Sequence, residues 1–259
     1  MLTSLSNGRV KNIIKLQEKS KARKEEDVFV VEGVKMFLEA PLQAIRETFI
    51  AESFMGKNQE VEEKLTKCDY EVVADDVFRK MSDTQTPQGI LCVVKRPHYT
   101  LEEMLKEKPL LVVIEDLQDP GNLGTIMRTG EGAGITGVVM SRDTVDIYNP
   151  KTIRATMGSL YRVPFIYVEN LKEAITQIQN KKIAVYAAHL KGEAFYDTYD
   201  YSGGTAFLIG NEGNGLKTET ADLADTYLKI PMQGQLESLN AAVATAVLLY
   251  EASRQRRSQ

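Results

Sequence analysis

Polar side chains able to hold or orient a ligand collect at the joints between apolar runs near the carboxyl end of this 259-residue chain. One joint, within Thr205–Leu216, carries Asn211, Glu212 and Asn214. A second, within Tyr227–Glu251, carries Gln233, Gln235, Ser238 and Asn240. An earlier stretch, Asp119–Gly134, is expected to complete the site with Asn122 and Arg128. Glycines accompany each joint: Gly121, Gly124, Gly210, Gly213, Gly215 and Gly234. Such glycines let backbone approach a ligand closely or serve as plain turns. The pattern lacks the G-x-G-x-x-G of a dinucleotide site, since the turn reads Gly121-Asn122-Leu123-Gly124. No Walker A lysine is present either, so nicotinamide and nucleotide-triphosphate chemistry are disfavoured.

These joints need rigid elements on either side. The runs LLVVIEDL, TAFLIG and YLKIP read as strands covered on both faces, as in a parallel sheet. Ligands in such sheets bind where strands end and loops begin. Helical patterns alternate with the strands, so a mainly parallel α/β architecture is expected. A helix is predicted to start near Asn122, with that side chain as its cap. Ser238 and Asn240 open the last helix, and capping and ligand contact are compatible there. An earlier, smaller α/β unit runs to about Pro97, and Tyr99–Pro109 reads as a charged connector. The domain division is expected near residue 105, giving 1–105 and 106–259.

Composition narrows the class. The chain is 43% hydrophobic and 26% charged, ordinary for a globular protein, and no apolar run approaches the length of a membrane span. No signal-peptide core opens the chain, and Cys68 and Cys92 lack metal-ligand spacing, so a cytoplasmic protein without a metal is expected. Net charge is −4, yet residues 1–24 hold seven basic groups (Arg9, Lys11, Lys15, Lys19, Lys21, Arg23 and Lys24) against one acid, Glu18. Arg254, Arg256 and Arg257 close the chain. Such patches attract phosphate or form a solvated face.

Three blocks in order carry a specific resemblance. They are Asp119-Pro120-Gly121-Asn122-Leu123-Gly124 with Arg128-Thr129, then Ile209–Leu216 (IGNEGNGL), then Ile230–Gly234 (IPMQG) with Glu237-Ser238-Leu239-Asn240. Together they resemble the signature motifs of the SpoU (TrmH-like) RNA ribose 2′-O-methyltransferases of the SPOUT class. Two positions depart from the usual pattern: Gly130 stands for an alanine and Ala242 for a serine. The N-terminal unit resembles the family's substrate-binding domain of L30e-like fold.

The resemblance implies an α/β-knot, in which the carboxyl end threads a trefoil and S-adenosyl-L-methionine is held in the knot. By position, Gly210, Ile230 and Leu239 match the cofactor contacts, and the loop around His189 and Leu190 is a further wall. Arg128 matches the catalytic residue. An arginine is a poor base, so its expected role is to bind the adjacent phosphate and stabilise a developing alkoxide. The resemblance gives Asn122, Glu212, Ser238 and Asn240 supporting catalytic roles. Asn122 would orient Arg128 or the ribose. Glu212 would pair with Arg128 or order its loop, and Ser238 and Asn240 would hold substrate or cofactor. A homodimer and an RNA substrate are implied, ribosomal RNA being favoured over tRNA. The rival reading is a non-catalytic RNA-binding or ribosome-assembly protein on the same scaffold.

Overall fold

The computed structural model describes residues 1–189 and 192–257 and divides them into two compact units. The first comprises Met1–Pro97 and Asp146–Tyr161, and the second His98–Val145 and Arg162–Gln259. The segment 146–161 was not foreseen as part of the N-terminal unit, because nothing in its local pattern differs from the helices around it.

The first unit contains helices α1 (Gly8–Glu18) and α2 (Ser20–Glu26), strand β1 (Val28–Glu32), helix α3 (Val34–Glu39), strand β2 (Ile45–Ala51), helix α4 (Gln59–Leu65), strand β3 (Tyr70–Val73), helix α5 (Asp75–Met81) and strand β4 (Ile90–Lys95). The sheet order is β1-β4-β2-β3, with only β2 and β3 parallel. The basic amino-terminal stretch forms two helices, not one continuous run. The chain is extended at Lys19, with φ −117° and ψ 108°, which ends α1 and lets α2 start afresh. Val10, Ile13 and Leu16 bury one side of α1 against β1, β2 and α5 in one apolar core.

The second unit begins with α6 (Leu101–Met104), β5 (Leu110–Ile114), α7 (Pro120–Ala133) and β6 (Gly137–Ser141). After α8 (Pro150–Thr156), which lies in the first unit, come β7 (Phe165–Val168), α9 (Leu171–Asn180), β8 (Ala184–Ala188), β9 (Ala194–Phe195), β10 (Thr205–Ile209), α10 (Thr218–Ala221), β11 (Thr226–Lys229) and α11 (Ala241–Arg257). Seven strands form one sheet in the order β7-β6-β5-β10-β8-β11-β9, every pair parallel. All residues of β5, β6 and β10 are buried. Leu111 and Val113 pack with α9 on one face, and α11 packs along α7 and β10 on the other. Covering both faces requires continuous apolar strands, and that is what the sequence supplies. Strand order turns in opposite directions from the central pair β5 and β10. Ligand sites of such sheets lie at the carboxyl ends of the strands, and here the loops leaving β5 and β10 are bonded to each other through Asp116, Asn211 and Glu212.

Candidate active site

Helix α7 starts three residues earlier than its sequence implied. Asp119, not Asn122, is the cap: its carboxylate accepts from the Asn122 backbone N–H at 2.8 Å, and Pro120 takes the first helical position. Capping by Asp119 releases the Asn122 amide. Its Nδ2 donates to Glu212 Oε1 at 3.0 Å, and its Oδ1 accepts from Asn240 Nδ2 at 3.0 Å. Asn240 also caps α11, its Oδ1 accepting from the N–H groups of Ala242 and Val243. That bond fixes which end of the Asn240 amide faces Asn122. One chain of side chains thus joins the three loops.

Glu212 is the centre of this chain. Besides Asn122, it accepts from the backbone N–H of Gln118 at 3.0 Å and of Asp119 at 2.9 Å. Burial pushes its pKa up, but the hydrogen bonds from Asn122, Gln118 and Asp119 outweigh burial and hold the carboxyl below its ordinary value. Glu212 therefore orders its loop instead of pairing with Arg128. Arg128 lies almost two turns further along α7, is exposed, and has no hydrogen bond or ion pair among the described residues.

A cavity of about 350 Å³ opens beside this chain, at the carboxyl ends of β8, β10 and β11. Gly210, Ile230 and Leu239 all line it, together with Glu212, Ser238 and His189. Arg128, Asn122 and Asn240 stand outside its wall. Gly210 is required by close approach: a Cβ there would lie 2.1 Å from the carbonyl carbon of Gly215. The loop folds back through paired bonds between Asn211 and Gly215, with Gly215 at φ +67°. His189 stacks on Tyr227, ring centroids 4.9 Å apart, as part of the wall. Leu190 lies outside the described residues. The volume suits a small-molecule cofactor. Apolar Leu216, Ile230 and Leu239 beside Glu237 and Ser238 give it greasy walls with a polar edge. An adenosine-bearing cofactor fits such a lining. Among the described residues no group of three or more His, Cys, Asp or Glu is placed to hold a metal ion.

Sequence reasoning missed the residues behind the loops. Glu115 is buried and accepts from the Lys217 N–H at 2.8 Å and the Thr220 hydroxyl at 2.5 Å. Asp116, at φ 52°, pairs with Lys217 Nζ at 2.6 Å and accepts from the Ser141 hydroxyl at 2.7 Å. Its carbonyl accepts from Asn211 Nδ2 and Gln118 Nε2, both at 2.9 Å. The Lys217 bond, then the Ser141 hydroxyl, overcome burial and hold Asp116 below the usual carboxylate range. The available signal was an acidic pair directly after the most apolar strand.

A parallel sheet with a cofactor-sized cavity at the carboxyl ends of its strands, beside three hydrogen-bonded loops, defines a cofactor-dependent α/β enzyme. The SpoU rRNA Methylase family matches over residues 109–250, and an MRM3-like substrate binding domain over residues 7–92. The chain belongs to the SpoU rRNA methylase family. It is 33% identical to the 23S rRNA (guanosine(2553)-2'-O)-methyltransferase RlmP of Bacillus subtilis, over 96% of this chain and 97% of that one. Two solved relatives contain the cofactor AdoMet. One is the SpoU methyltransferase AviRb of Streptomyces viridochromogenes, with TM-score 0.88 and 28% identity over 97% of this chain and 99% of the other. The other is an rRNA methyltransferase of Sinorhizobium meliloti, with TM-score 0.88 and 32% identity over 98% and 97%.

Proposed function

We propose that this protein transfers a methyl group from S-adenosyl-L-methionine to a ribose 2′-hydroxyl of ribosomal RNA. The carrying observation is the convergence of the three signature loops through Glu212, Asn122 and Asn240 beside a cavity lined by Gly210, Ile230 and Leu239. Bound in that cavity, the donor supplies a methyl already activated by sulfonium charge. The walls hold and orient it, and water is kept from its apolar side. Arg128, free of protein partners among the described residues, takes the phosphate next to the target ribose. Its guanidinium then stabilises negative charge growing on the 2′-oxygen. With the donor bound, the new oxygen–methyl bond would form as the methyl–sulfur bond broke, and the hydroxyl proton would pass to solvent. Glu212 is no general base: its lowered pKa makes it a weak one, and its oxygens are occupied by donors.

A threaded carboxyl end belongs to the same reading. The chain leaves β10, crosses to Glu115 through Lys217 and Thr220, returns to β11, and only then runs back to α7. A homodimer is also part of it, supported by exposed Val243 and Tyr250 on α11. Sedimentation should give twice the mass of the 28.9 kDa chain. No helix among the described residues is long and apolar enough to cross a membrane.

The test is ribose-methylation mapping on ribosomal RNA from cells lacking the protein, with restoration by the purified protein and S-adenosyl-L-methionine in vitro. One unmethylated ribose, remethylated on addition, is expected. Transfer to tRNA alone, or no donor binding, would overturn the reading, the latter in favour of a non-catalytic assembly factor.

A further inference from the structure

The basic groups that cluster at the two ends of the chain are not equivalent. Arg9 pairs with Glu47 at 3.1 Å and Glu71 at 3.3 Å. Lys21 pairs with Glu25 at 3.8 Å, and Arg23 is buried against Asp146 at 2.6 Å. At the other end Arg254 pairs with Glu251, and Arg256 donates to the carbonyls of Tyr201, Lys108, Pro109 and Gly203. These side chains serve the fold. Lys11, Lys15, Lys19 and Lys24, and Arg257 at the other end, remain exposed and without an ion pair among the described residues.

Three of the four lysines are ordered in space. Lys11 and Lys15 are four residues apart on α1, and Lys19 follows at the break before α2. Four residues of helix advance about 6 Å, comparable to the phosphate spacing along one RNA strand. Lys11 and Lys15 lie on the side of α1 opposite Val10, Ile13 and Leu16, which are buried. Nearby acids are Glu18, Glu25 and Glu26. Glu25 is taken up by Lys21, and Glu26 by Asn12 and Arg46, which leaves Glu18 as the acid within α1. Lys15 also lies near the α1 carboxyl end, where a cation favours the helix dipole. That benefit needs one lysine, not a row.

We infer that the Lys11–Lys15–Lys19 row is a docking track for the phosphates of one RNA strand, with Lys24 flanking it. The inference rests on the rRNA reading above and adds where the first unit grips its substrate. Contacts of this kind carry no sequence information and position the RNA by charge.

The test uses the full chain and an unmodified 23S rRNA transcript, with affinity measured against KCl concentration. Each lysine that displaces a counterion contributes about 0.7 to 0.9 to the slope of log affinity on log salt. The triple variant K11Q/K15Q/K19Q is therefore expected to flatten the slope by about 2 to 3, while K11R/K15R/K19R keeps it. Melting temperature and S-adenosyl-L-methionine affinity should match the parent in both, which excludes misfolding as the cause. An unchanged slope in the glutamine variant overturns the inference, including the case in which the row binds an acidic protein instead. Failure of the parent to methylate rRNA would sink the functional reading but leaves the slope measurement interpretable.

Discussion

Arg128, to which the proposed mechanism gives the phosphate and the developing charge, takes almost nothing from its neighbours. It is exposed and unpaired among the described residues, on a helix whose position is set by Asp119 and Asn122. Arg128→Lys keeps charge but loses the planar fork that grips phosphate. Turnover is expected to fall by about 10²–10³-fold, with donor affinity and melting temperature unchanged. A single-turnover rate near that of the parent would remove Arg128 from the chemistry. Gly210 is the opposite case, a residue that acts by lacking atoms. Gly210→Ala places a Cβ 2.1 Å from backbone that cannot yield as a side chain would. Overpacking of about 1–3 kcal/mol is expected, felt as a roughly 10- to 100-fold loss of donor affinity in calorimetry. Gly130, one of the two departures from the family pattern, has a local reason. A Cβ there would meet Ile135 Cδ1 at 2.3 Å, so the glycine accommodates the isoleucine that closes α7.

At the scale of elements, the loops after β5 and β10 are held from behind by Asp116. Its left-handed backbone is one that Asn tolerates and Ala does not. Asp116→Asn keeps the bond from Ser141 and loses only the charge facing Lys217, whereas Asp116→Ala loses both and adds strain of about 1–3 kcal/mol. The donor KM should rise in the order parent, Asn, Ala, with the Asn variant melting near the parent. Equal KM values in all three would show that Asp116 supports the fold and not the site. This hub also marks where sequence reading stopped. The buried strands β5 and β10 were legible because parallel sheets demand unbroken apolar runs, whereas YLKIP, read the same way, contributes to β11, which fully buries only Leu228. Asn122, Glu212 and Asn240 were legible as polar residues at loop joints, and the structure bonds them into one chain. Asp116 and Glu115 were not, because an acidic pair after a strand looks like any turn until Lys217, a hundred residues on, comes back to it. The cap of α7 was misplaced for a simpler reason: Asp119 and Asn122 both suit the position, and only Pro120 at N1 decides between them.

At the scale of the molecule, the first unit is discontinuous in sequence, and an ion pair between buried Arg23 and partly exposed Asp146 fastens its late segment. Arg23 donates to the Leu16 and Gln17 carbonyls at 2.7 and 2.9 Å, and to Asp146 through both Nε and Nη2. Asp146 also accepts from the Tyr148 N–H, and the Tyr148 ring packs 4.7 Å from that of Phe29. Tyr161 closes the segment by donating to the Met36 carbonyl at 2.9 Å. Burial pushes Asp146 up, but Arg23 and the Tyr148 N–H more than offset it, so its folded pKa lies below the ordinary value. A depressed carboxylate adds stability above its unfolded pKa of about 3.9, and that stability is lost as pH falls through the lower folded value. Asp146→Ala leaves the Arg23 charge buried and unpaired, which costs about 3–5 kcal/mol. Its melting temperature should be lower at pH 7 and should lose less on acidification than that of the parent. By the same logic a fragment of residues 1–97 lacks both Asp146 and the ring that covers Phe29. It should show no cooperative unfolding transition by circular dichroism, whereas the full-length Asp146→Ala chain should still unfold cooperatively and bind the donor. A fragment that melts as sharply as the intact protein would mean that the late segment is a passenger on a self-sufficient domain.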